Sequence, residues 1–208
     1  MSSDSTFKHL LSPGRIGTLE TRNRIWMAGM GTNFGSKDGH VTERMKRYHE
    51  ARARGGVGLT IVEVTSIDYP RGAAMPRQLG ISRDEFIPGL KELTDVIHNH
   101  GAKAGVQLHF AGVKAVMDIA SGRKRFVPTA PSLGTGGIED FTPEEMQLTM
   151  EMMMSESSTL EYHEVTTEEI GQLVEKYADA AVRAREAGFD GVEIHAGHGY
   201  IISMFISP

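Results

Sequence analysis

The sequence contains no cysteine, which excludes disulfide bonds, thiolate zinc sites and iron–sulfur clusters within its 208 residues. It also lacks any run of roughly 18 apolar residues, so no transmembrane helix is expected. Residues 1–8 are mostly polar and hold no apolar stretch, so no secretory signal is expected either. These absences predict a protein of the cytoplasm that has no contact with a membrane.

Several sequence signatures are also missing. No Gly-x-Gly-x-x-Gly follows a strand pattern and no Gly-Lys-Ser/Thr phosphate loop occurs, so a Rossmann or kinase-like nucleotide site is not indicated. The Gly-x-Ser-x-Gly elbow of serine hydrolases is absent too. No basic block with interleaved aromatic residues points to a nucleic acid as partner.

Basic residues are missing from one long segment. Between Phe126 and Glu175 there is no Lys or Arg, while eleven acidic residues occur; the rest of the chain carries 22 basic against 16 acidic residues. This surplus of positive charge is consistent with a phosphorylated ligand, and equally with scattered solvated side chains.

What the sequence does have is an alternation of short apolar segments with helical patterns. The apolar segments predict four strands, at 24–30, 57–64, 104–109 and 189–195. Amphipathic spacing and capping residues predict three helices, at 42–54, 84–100 and 168–186. Strands and helices that alternate in this way are typical of an α/β protein with a parallel sheet.

A closed eight-stranded barrel takes about 250 residues, and only about four of its strands are present here. We therefore expect 1–208 to form the N-terminal part of one (β/α)8 TIM-barrel domain, with an exposed sheet edge. An acidic, Met-rich excursion at about 110–165 interrupts the alternation and holds no convincing core element. Its second half, 139–164, is consistent with a mobile lid or a short amphipathic helix over the barrel mouth, or with a disordered surface insertion.

The last predicted strand ends in His195-Ala196-Gly197-His198-Gly199-Tyr200. In a parallel barrel, residues at the carboxyl ends of strands face the active site. Imidazoles can donate hydrogen bonds to an oxygen that gains negative charge, and a phenol can deliver a proton to carbon. Conjugate reduction of an activated alkene needs both functions. We therefore interpret His195, His198 and Tyr200 as catalytic residues.

Two other interpretations stay open at this point. The pair His195 and His198 with Glu193 nearby is also compatible with the metal site of a barrel hydrolase or aldolase. A non-catalytic remnant of a larger enzyme is the other alternative, because the later strands of a barrel are missing.

A second group of residues is suited to a planar ligand. Gln107 lies inside an apolar strand pattern, where its amide can serve the edge of a heterocycle such as a flavin or can bond neighbouring backbone. The small residues of Ala28-Gly29-Met30-Gly31 permit close approach of a ring to backbone, or simply tight strand packing.

Further motifs carry a resemblance to a known family. In order, they are Leu11-Ser12-Pro13, Thr21-Arg22-Asn23-Arg24-Ile25, Met27-Ala28-Gly29-Met30, Gly56-Val57-Gly58-Leu59, Ile61-Val62-Glu63, Gln107-Leu108, the stretch from Ala187 to Tyr200, and Phe205-Ile206-Ser207-Pro208. The chain resembles the N-terminal half of the Old Yellow Enzyme family of FMN-dependent NADH:flavin oxidoreductases. Met30-Gly31-Thr32-Asn33 further resembles the branch of 2,4-dienoyl-CoA reductases and bile-acid enoyl reductases.

The resemblance implies a TIM barrel with FMN at its C-terminal mouth and NADH or NADPH as reductant. It implies that the flavin is lined by Ala28, Gly29, Met30, Gly31 and Val64, and that Gln107 bonds its pyrimidine edge. His195 and His198 would hold the oxygen of an α,β-unsaturated carbonyl substrate, and Tyr200 would donate the proton. No metal is implied, and a homo-oligomer is compatible with the family.

The sequence departs from the family pattern in three places. Gly31 stands where many relatives have a Thr or Cys that bonds the flavin, although Thr32 is its neighbour. The pair His109-Phe110 replaces a more usual Trp-His order, and Val113 replaces a common Arg. The later strands, with their flavin-binding Arg and phosphate site, are missing. These 208 residues alone are therefore expected to bind FMN weakly or not at all and to be inactive.

Overall fold

The structure, a computed structural model, describes residues 6–130, 142–144, 147 and 161–207. The helices with defined bounds are α1 (Lys8–Leu11), α2 (Glu43–Arg54), α3 (Ile87–His98), α4 (Val116–Ala120), α5 (Thr167–Glu186) and α6 (Ile201–Ile206). The strands are β1 (Gly14–Ile16), β2 (Leu19–Thr21), β3 (Trp26–Met27), β4 (Leu59–Ser66), β5 (Leu79–Gly80), β6 (Lys103–His109), β7 (Arg125–Val127), β8 (Tyr162–Glu164) and β9 (Gly191–Ile194). Short 3₁₀ turns at Asp84–Phe86 and Gly112–Lys114 precede α3 and α4.

The main sheet is parallel. Its strands follow the order β3-β4-β6-β9, and β5 pairs with the end of β4. Helix α2 lies between β3 and β4 in the chain, α3 between β4 and β6, and α5 before β9. This repeated strand–helix unit confirms the α/β alternation predicted from the sequence. The four main strands are the part of a TIM barrel that this chain provides.

Two of the three predicted helices begin at capping residues. Thr42 caps α2, because its hydroxyl accepts a hydrogen bond from the Met45 N–H. Thr166 and Glu169 form a reciprocal capping box at the start of α5. Gly56 (φ +103°) and Gly188 (φ +84°) follow α2 and α5 in the left-handed conformation that ends a helix.

The two faces of the sheet differ. On β6, Ala104, Val106 and Leu108 are buried in the core with Leu90 and Leu93 of α3. Burying one such Val or Leu side chain contributes roughly 1.5–3 kcal/mol. Because side chains alternate along a strand, the intervening residues of β6, which include Gln107 and His109, belong to the opposite face.

Strands β3 and β9 have no partner on their outer sides within the described residues. Trp26 of β3 is 49% exposed and Ile194 of β9 is 54% exposed. The buried strand predicted at 24–30 is therefore wrong in length and burial, and the strand at 189–195 is shorter and more exposed than predicted. The expected open sheet edge is confirmed.

The excursion contributes more to the core than the sequence indicated. Phe110 and Val127 are buried, and Asp118 accepts hydrogen bonds from the Gly72 N–H at 3.0 Å and from Arg123 Nε at 2.8 Å. The expectation of no core element at 110–165 is wrong for these parts. The reason is that β7 has only three residues and pairs with β8 far along the chain, which no local periodicity reveals. The Met-rich stretch lies largely outside the described residues.

No helix in the described ranges has the length and apolar character needed to cross a bilayer.

Asp190 ties the start of β9 to β6 and α3. Its carboxylate accepts from the Ala104 N–H (2.9 Å), His98 Nε2 (2.7 Å) and Lys103 Nζ (2.9 Å). Burial raises the pKa of Asp190, but these hydrogen bonds outweigh it and hold the pKa below its ordinary value. Asp190→Asn is expected to lower the free energy of unfolding by about 2 kcal/mol, measured by chemical denaturation at neutral pH.

The control is Asp179→Asn, because Asp179 is an exposed carboxylate of α5. It should leave the free energy of unfolding within about 0.5 kcal/mol of the parent value. Equal effects of the two substitutions would show that the Asp190 contacts contribute nothing specific.

Candidate active site

Side chains from neighbouring strands meet at the carboxyl end of the main sheet. On the parallel strands β6 and β9, Gln107 lies opposite Glu193 and Leu108 lies opposite Ile194. The next pair along is His109 and His195, whose ring centroids are 5.8 Å apart. In parallel barrels, this end of the strands is the end that carries the active site.

The three residues predicted to be catalytic are brought together here. The Tyr200 ring is perpendicular to that of His195, with 4.8 Å between centroids, and the His195 and His198 centroids are 5.0 Å apart. Tyr200 also packs edge to face with His109 at 4.2 Å. Within the described residues the Tyr200 hydroxyl makes no hydrogen bond, so it is available to a ligand.

The backbone at His198 bends the chain back on itself. His198 has φ +59°, a left-handed conformation that is uncommon for a residue with a side chain. Its Nδ1 comes within 3.2 Å of His195 Nε2. Lys114 holds this turn, because its ammonium group donates to the His198 carbonyl at 2.6 Å and lies 5.7 Å from the Tyr200 ring centroid.

The hydrogen bonds assign the tautomer of His195. Its Nδ1 accepts from the Gly197 N–H at 3.3 Å, so the neutral ring carries its proton on Nε2 and donates to His198. Burial, aided by the nearby His198, lowers the pKa of His195 against the opposing effect of Glu193. A substrate oxygen that binds His195 must therefore replace His198 as the acceptor of this N–H.

The stretch predicted to lie against the flavin is open, and two of its four residues are glycines. Ala28, Met30 and Gly31 are exposed at the end of β3. A Cβ at Gly29 would lie 3.3 Å from the Gln107 amide, and one at Gly31 would lie 3.0 Å from the Met75 methyl group and 3.8 Å from Val64. Gly31 therefore exposes only its backbone, and the Met75 side chain occupies the space next to it where a side chain of residue 31 would lie.

Gln107 has the polar groups that a pyrimidine edge requires. It is only 9% exposed, and its Nε2 donates to Glu193. Its Oε1 accepts no hydrogen bond within the described residues. The amide can offer both a donor and an acceptor to a heterocycle placed over Gly29. These residues fit the ring system of a flavin, which needs one flat apolar face and a polar edge.

Thr32 does not replace the hydroxyl that Gly31 lacks. Its side chain donates to Glu63, a fully buried carboxylate of β4 that also accepts from the Asn33 N–H at 3.2 Å. Burial raises the pKa of Glu63 against these hydrogen bonds. The Thr32 hydroxyl is therefore engaged by Glu63, and this hydrogen bond holds the loop after β3 against β4.

Sequence reasoning missed three residues of this site. His109 lies two positions after Gln107, and the period of a strand places both on one face, so that signal was present. Glu63 and Lys114 gave no such signal, because their contacts with Thr32 and His198 join distant parts of the chain.

The metal interpretation of the histidine pair gains no support. Within the described ranges, no three His, Asp or Glu side chains are grouped so that they could hold a metal ion. Glu193 instead accepts from Gln107, and the two imidazoles bond each other.

Comparison with known proteins gives consistent matches. A family model described as the NADH:flavin oxidoreductase / NADH oxidase family matches residues 9–208. The NADH oxidase of Thermoanaerobacter brockii is 40% identical over 202 residues, covering 97% of this chain and 28% of that protein. The NADPH dehydrogenase of Listeria welshimeri is 36% identical over 200 residues, covering 96% and 51%. The Old Yellow Enzyme homologue from Zymomonas mobilis is similar in structure, with TM-score 0.75 and 31% identity, covering 95% and 51%.

Fold and site define part of a parallel β/α barrel with a cluster of two histidines and a tyrosine at its strand ends. The chain belongs to the NADH:flavin oxidoreductase / NADH oxidase family. Membership implies FMN as cofactor and NADH or NADPH as reductant. The chain spans about half, or less, of the length of the relatives it matches.

Proposed function

We propose that the protein containing this chain is an FMN-dependent ene-reductase that passes hydride from NADH or NADPH to an α,β-unsaturated carbonyl compound. The observation that carries this proposal is the meeting of His195, His198 and Tyr200 at the strand ends that also present Gln107. Reduction of a polarised alkene needs a donor to the carbonyl oxygen and an acid for the neighbouring carbon. The bound flavin supplies the hydride.

The histidine pair is suited to the carbonyl oxygen. His195 Nε2–H already donates a hydrogen bond, and a substrate oxygen placed between the rings takes over that donor. A donor held in place by its ring contacts, as His195 is by Tyr200, stabilises the charge that grows on the oxygen once the oxygen has displaced His198. The lowered pKa of His195 makes it a neutral donor at physiological pH.

Tyr200 is suited to proton delivery. Its ring packs edge to face against His109 and His195, and its hydroxyl makes no hydrogen bond within the described residues. A general acid has to be within hydrogen-bond reach of the atom it protonates. The contact between its ring and that of His195 supports this role, in which the phenol would protonate the carbon adjacent to the bound carbonyl.

The flavin ring would be held by the open backbone of 28–31, by Val64 beneath it and by the Gln107 amide at its edge. The exposed edges at Trp26 and Ile194 further support the proposal that strands beyond this chain complete the barrel. We therefore propose that residues 1–208 alone are an inactive segment.

The test separates the two half-reactions in the full-length protein under anaerobic conditions. NADH or NADPH should bleach the flavin absorbance, and a simple enone such as 2-cyclohexen-1-one should restore it with formation of the saturated ketone. The 208-residue chain, treated in parallel, should retain little FMN. A colourless full-length protein, or reduced flavin that dioxygen reoxidises but no enone does, would overturn the ene-reductase assignment.

A further inference from the structure

His109 is a third imidazole beside the proposed catalytic pair. It is fully buried at the end of β6, its ring is 4.2 Å from that of Tyr200 and 5.8 Å from that of His195, and its Nε2 has no hydrogen-bond partner. A buried imidazole nitrogen without a partner is costly, and such groups concentrate at functional sites.

The hydrogen bonds of Gln78 determine where the proton of His109 lies. The Ala74 N–H donates to Gln78 Oε1 at 2.8 Å, which fixes the orientation of the amide. Gln78 Nε2 is therefore the atom 2.9 Å from His109 Nδ1, and an amide nitrogen can only donate. Nδ1 must accept, so a neutral His109 carries its proton on the unpartnered Nε2.

The charge of the ring is determined as well. Burial, together with the nearby His195, lowers the pKa of His109 to about 3. The charged and titratable groups around the cluster are His195 and His198 from the end of β9, Glu193 beside Gln107, and Lys114 from the turn after β6. Within the described residues, no carboxylate bonds His109 to favour a second proton.

We propose that His109 is a positioning residue whose single, fixed protonation state, imposed by Gln78, sets the electrostatic environment in which Tyr200 and His195 work. The proposal rests on the proposed function, because it assigns Tyr200 as the acid. A neutral His109 adds no charge at the Tyr200 ring, so that Lys114, 5.7 Å from the ring centroid, is the cation beside the phenol among the described residues.

Gln78→Glu is the sharpest variant, because it keeps the shape of Gln78 and reverses one hydrogen bond. A carboxylate can still accept from the Ala74 N–H, but it accepts from His109 Nδ1 instead of donating to it. The imidazole then takes a proton on Nδ1 and can become a cation beside Tyr200 and His195. Gln78→Leu is the matched control, because it breaks the same bond without adding charge.

The first measurement is long-range ¹H–¹⁵N NMR of ¹⁵N-histidine-labelled, flavin-loaded full-length protein. His109, assigned by its loss in His109→Asn, should show a bare Nδ1 and a protonated Nε2 that do not change between pH 8 and pH 5. Protonation of Nδ1 in the parent protein would overturn the proposal. In Gln78→Glu the Nδ1 resonance should become that of a protonated nitrogen.

The second measurement is the pH profile of flavin reoxidation by the enone. Gln78→Glu should move the limbs of this profile to lower pH by roughly one unit, while Gln78→Leu should slow the reaction without moving them. Identical profiles for the two variants would show that Gln78 and His109 serve only packing. If the parent protein fails to react with any enone, the proposed function fails, and the NMR result still decides the protonation state of His109.

Discussion

Tyr200→Phe in the full-length protein is expected to slow enone-dependent flavin reoxidation by roughly 10²- to 10⁴-fold, the usual contribution of one general acid. The ring contacts with His109 and His195 at 4.2 and 4.8 Å remain possible for Phe, so the site should keep its shape. Only the hydroxyl, which has no partner within the described residues, is removed. The rate of flavin bleaching by NADH or NADPH should stay within about twofold, because that step takes no proton from the phenol.

Stopped-flow absorbance at the flavin bands measures both rates in one sample. Tyr48→Phe is the matched control, because Tyr48 lies on helix α2, where its ring packs against Phe34 and Arg52 and makes no ring contact with His195, His198 or Tyr200. It should change neither rate. Equal loss of both half-reactions in Tyr200→Phe would contradict the proton-donor role and indicate a general disturbance of the site.

How far the sequence predicted this site depends on the kind of contact involved. His195, His198 and Tyr200 are neighbours in the chain, so a strand followed by a tight turn was sufficient to group them. The strand period also places Gln107 on the site face, across from Glu193. These predictions needed only local spacing and the rule that parallel strands carry their sites at one end.

The contacts that spacing could not predict join distant segments. Gln78 meets His109 across 31 residues, and Glu63 takes the Thr32 hydroxyl across the same separation. Nothing in the amino acid types says which of several polar side chains will pair. The mutual bond between His195 and His198 was also not foreseen, because it depends on the left-handed backbone at His198.

The elements of the fold divide in the same way, into those that local sequence predicts and those that depend on distant segments. Helices α2, α3 and α5 were predicted because amphipathic spacing and caps are local. The burial of β3 and β9 was overestimated, because an apolar segment reads as a core strand whether or not its neighbouring strand is present. Strand β7 was missed because its three residues form a strand only by pairing with β8, which lies far along the chain.

Acid is expected to destabilise the protein well before its carboxylates are protonated. Burial lowers the pKa of His49 to about 4 and that of His109 to about 3, below the ordinary histidine value of about 6.5. As the pH falls below about 6.5, the unfolded chain binds protons at these two positions and the folded chain does not. The free energy of unfolding therefore decreases as the pH falls, by up to about 1.4 kcal/mol per pH unit for each histidine.

Glu63 acts in the opposite direction. Its pKa is raised by burial, so the folded protein binds a proton there before the unfolded chain does. That uptake stabilises the fold as the pH falls and offsets part of the histidine effect. The net slope is thus expected to be smaller than the slope that the two buried histidines alone would give.

Urea denaturation at pH 7, 6 and 5 measures this slope, and two variants assign it. His49→Gln removes one titrating group, so between pH 7 and pH 5 it should reduce the slope by about 1 kcal/mol per pH unit, even though it lowers stability at pH 7. Glu63→Gln removes the opposing group and should make the slope steeper. A free energy of unfolding that stays constant from pH 7 to pH 5 in the parent protein would contradict the prediction, because both imidazoles would then have to accept protons inside the fold. Since the same buried, neutral His109 that costs stability in acid is the one that contacts Tyr200, a flat slope would also remove the physical basis for its fixed charge at the site.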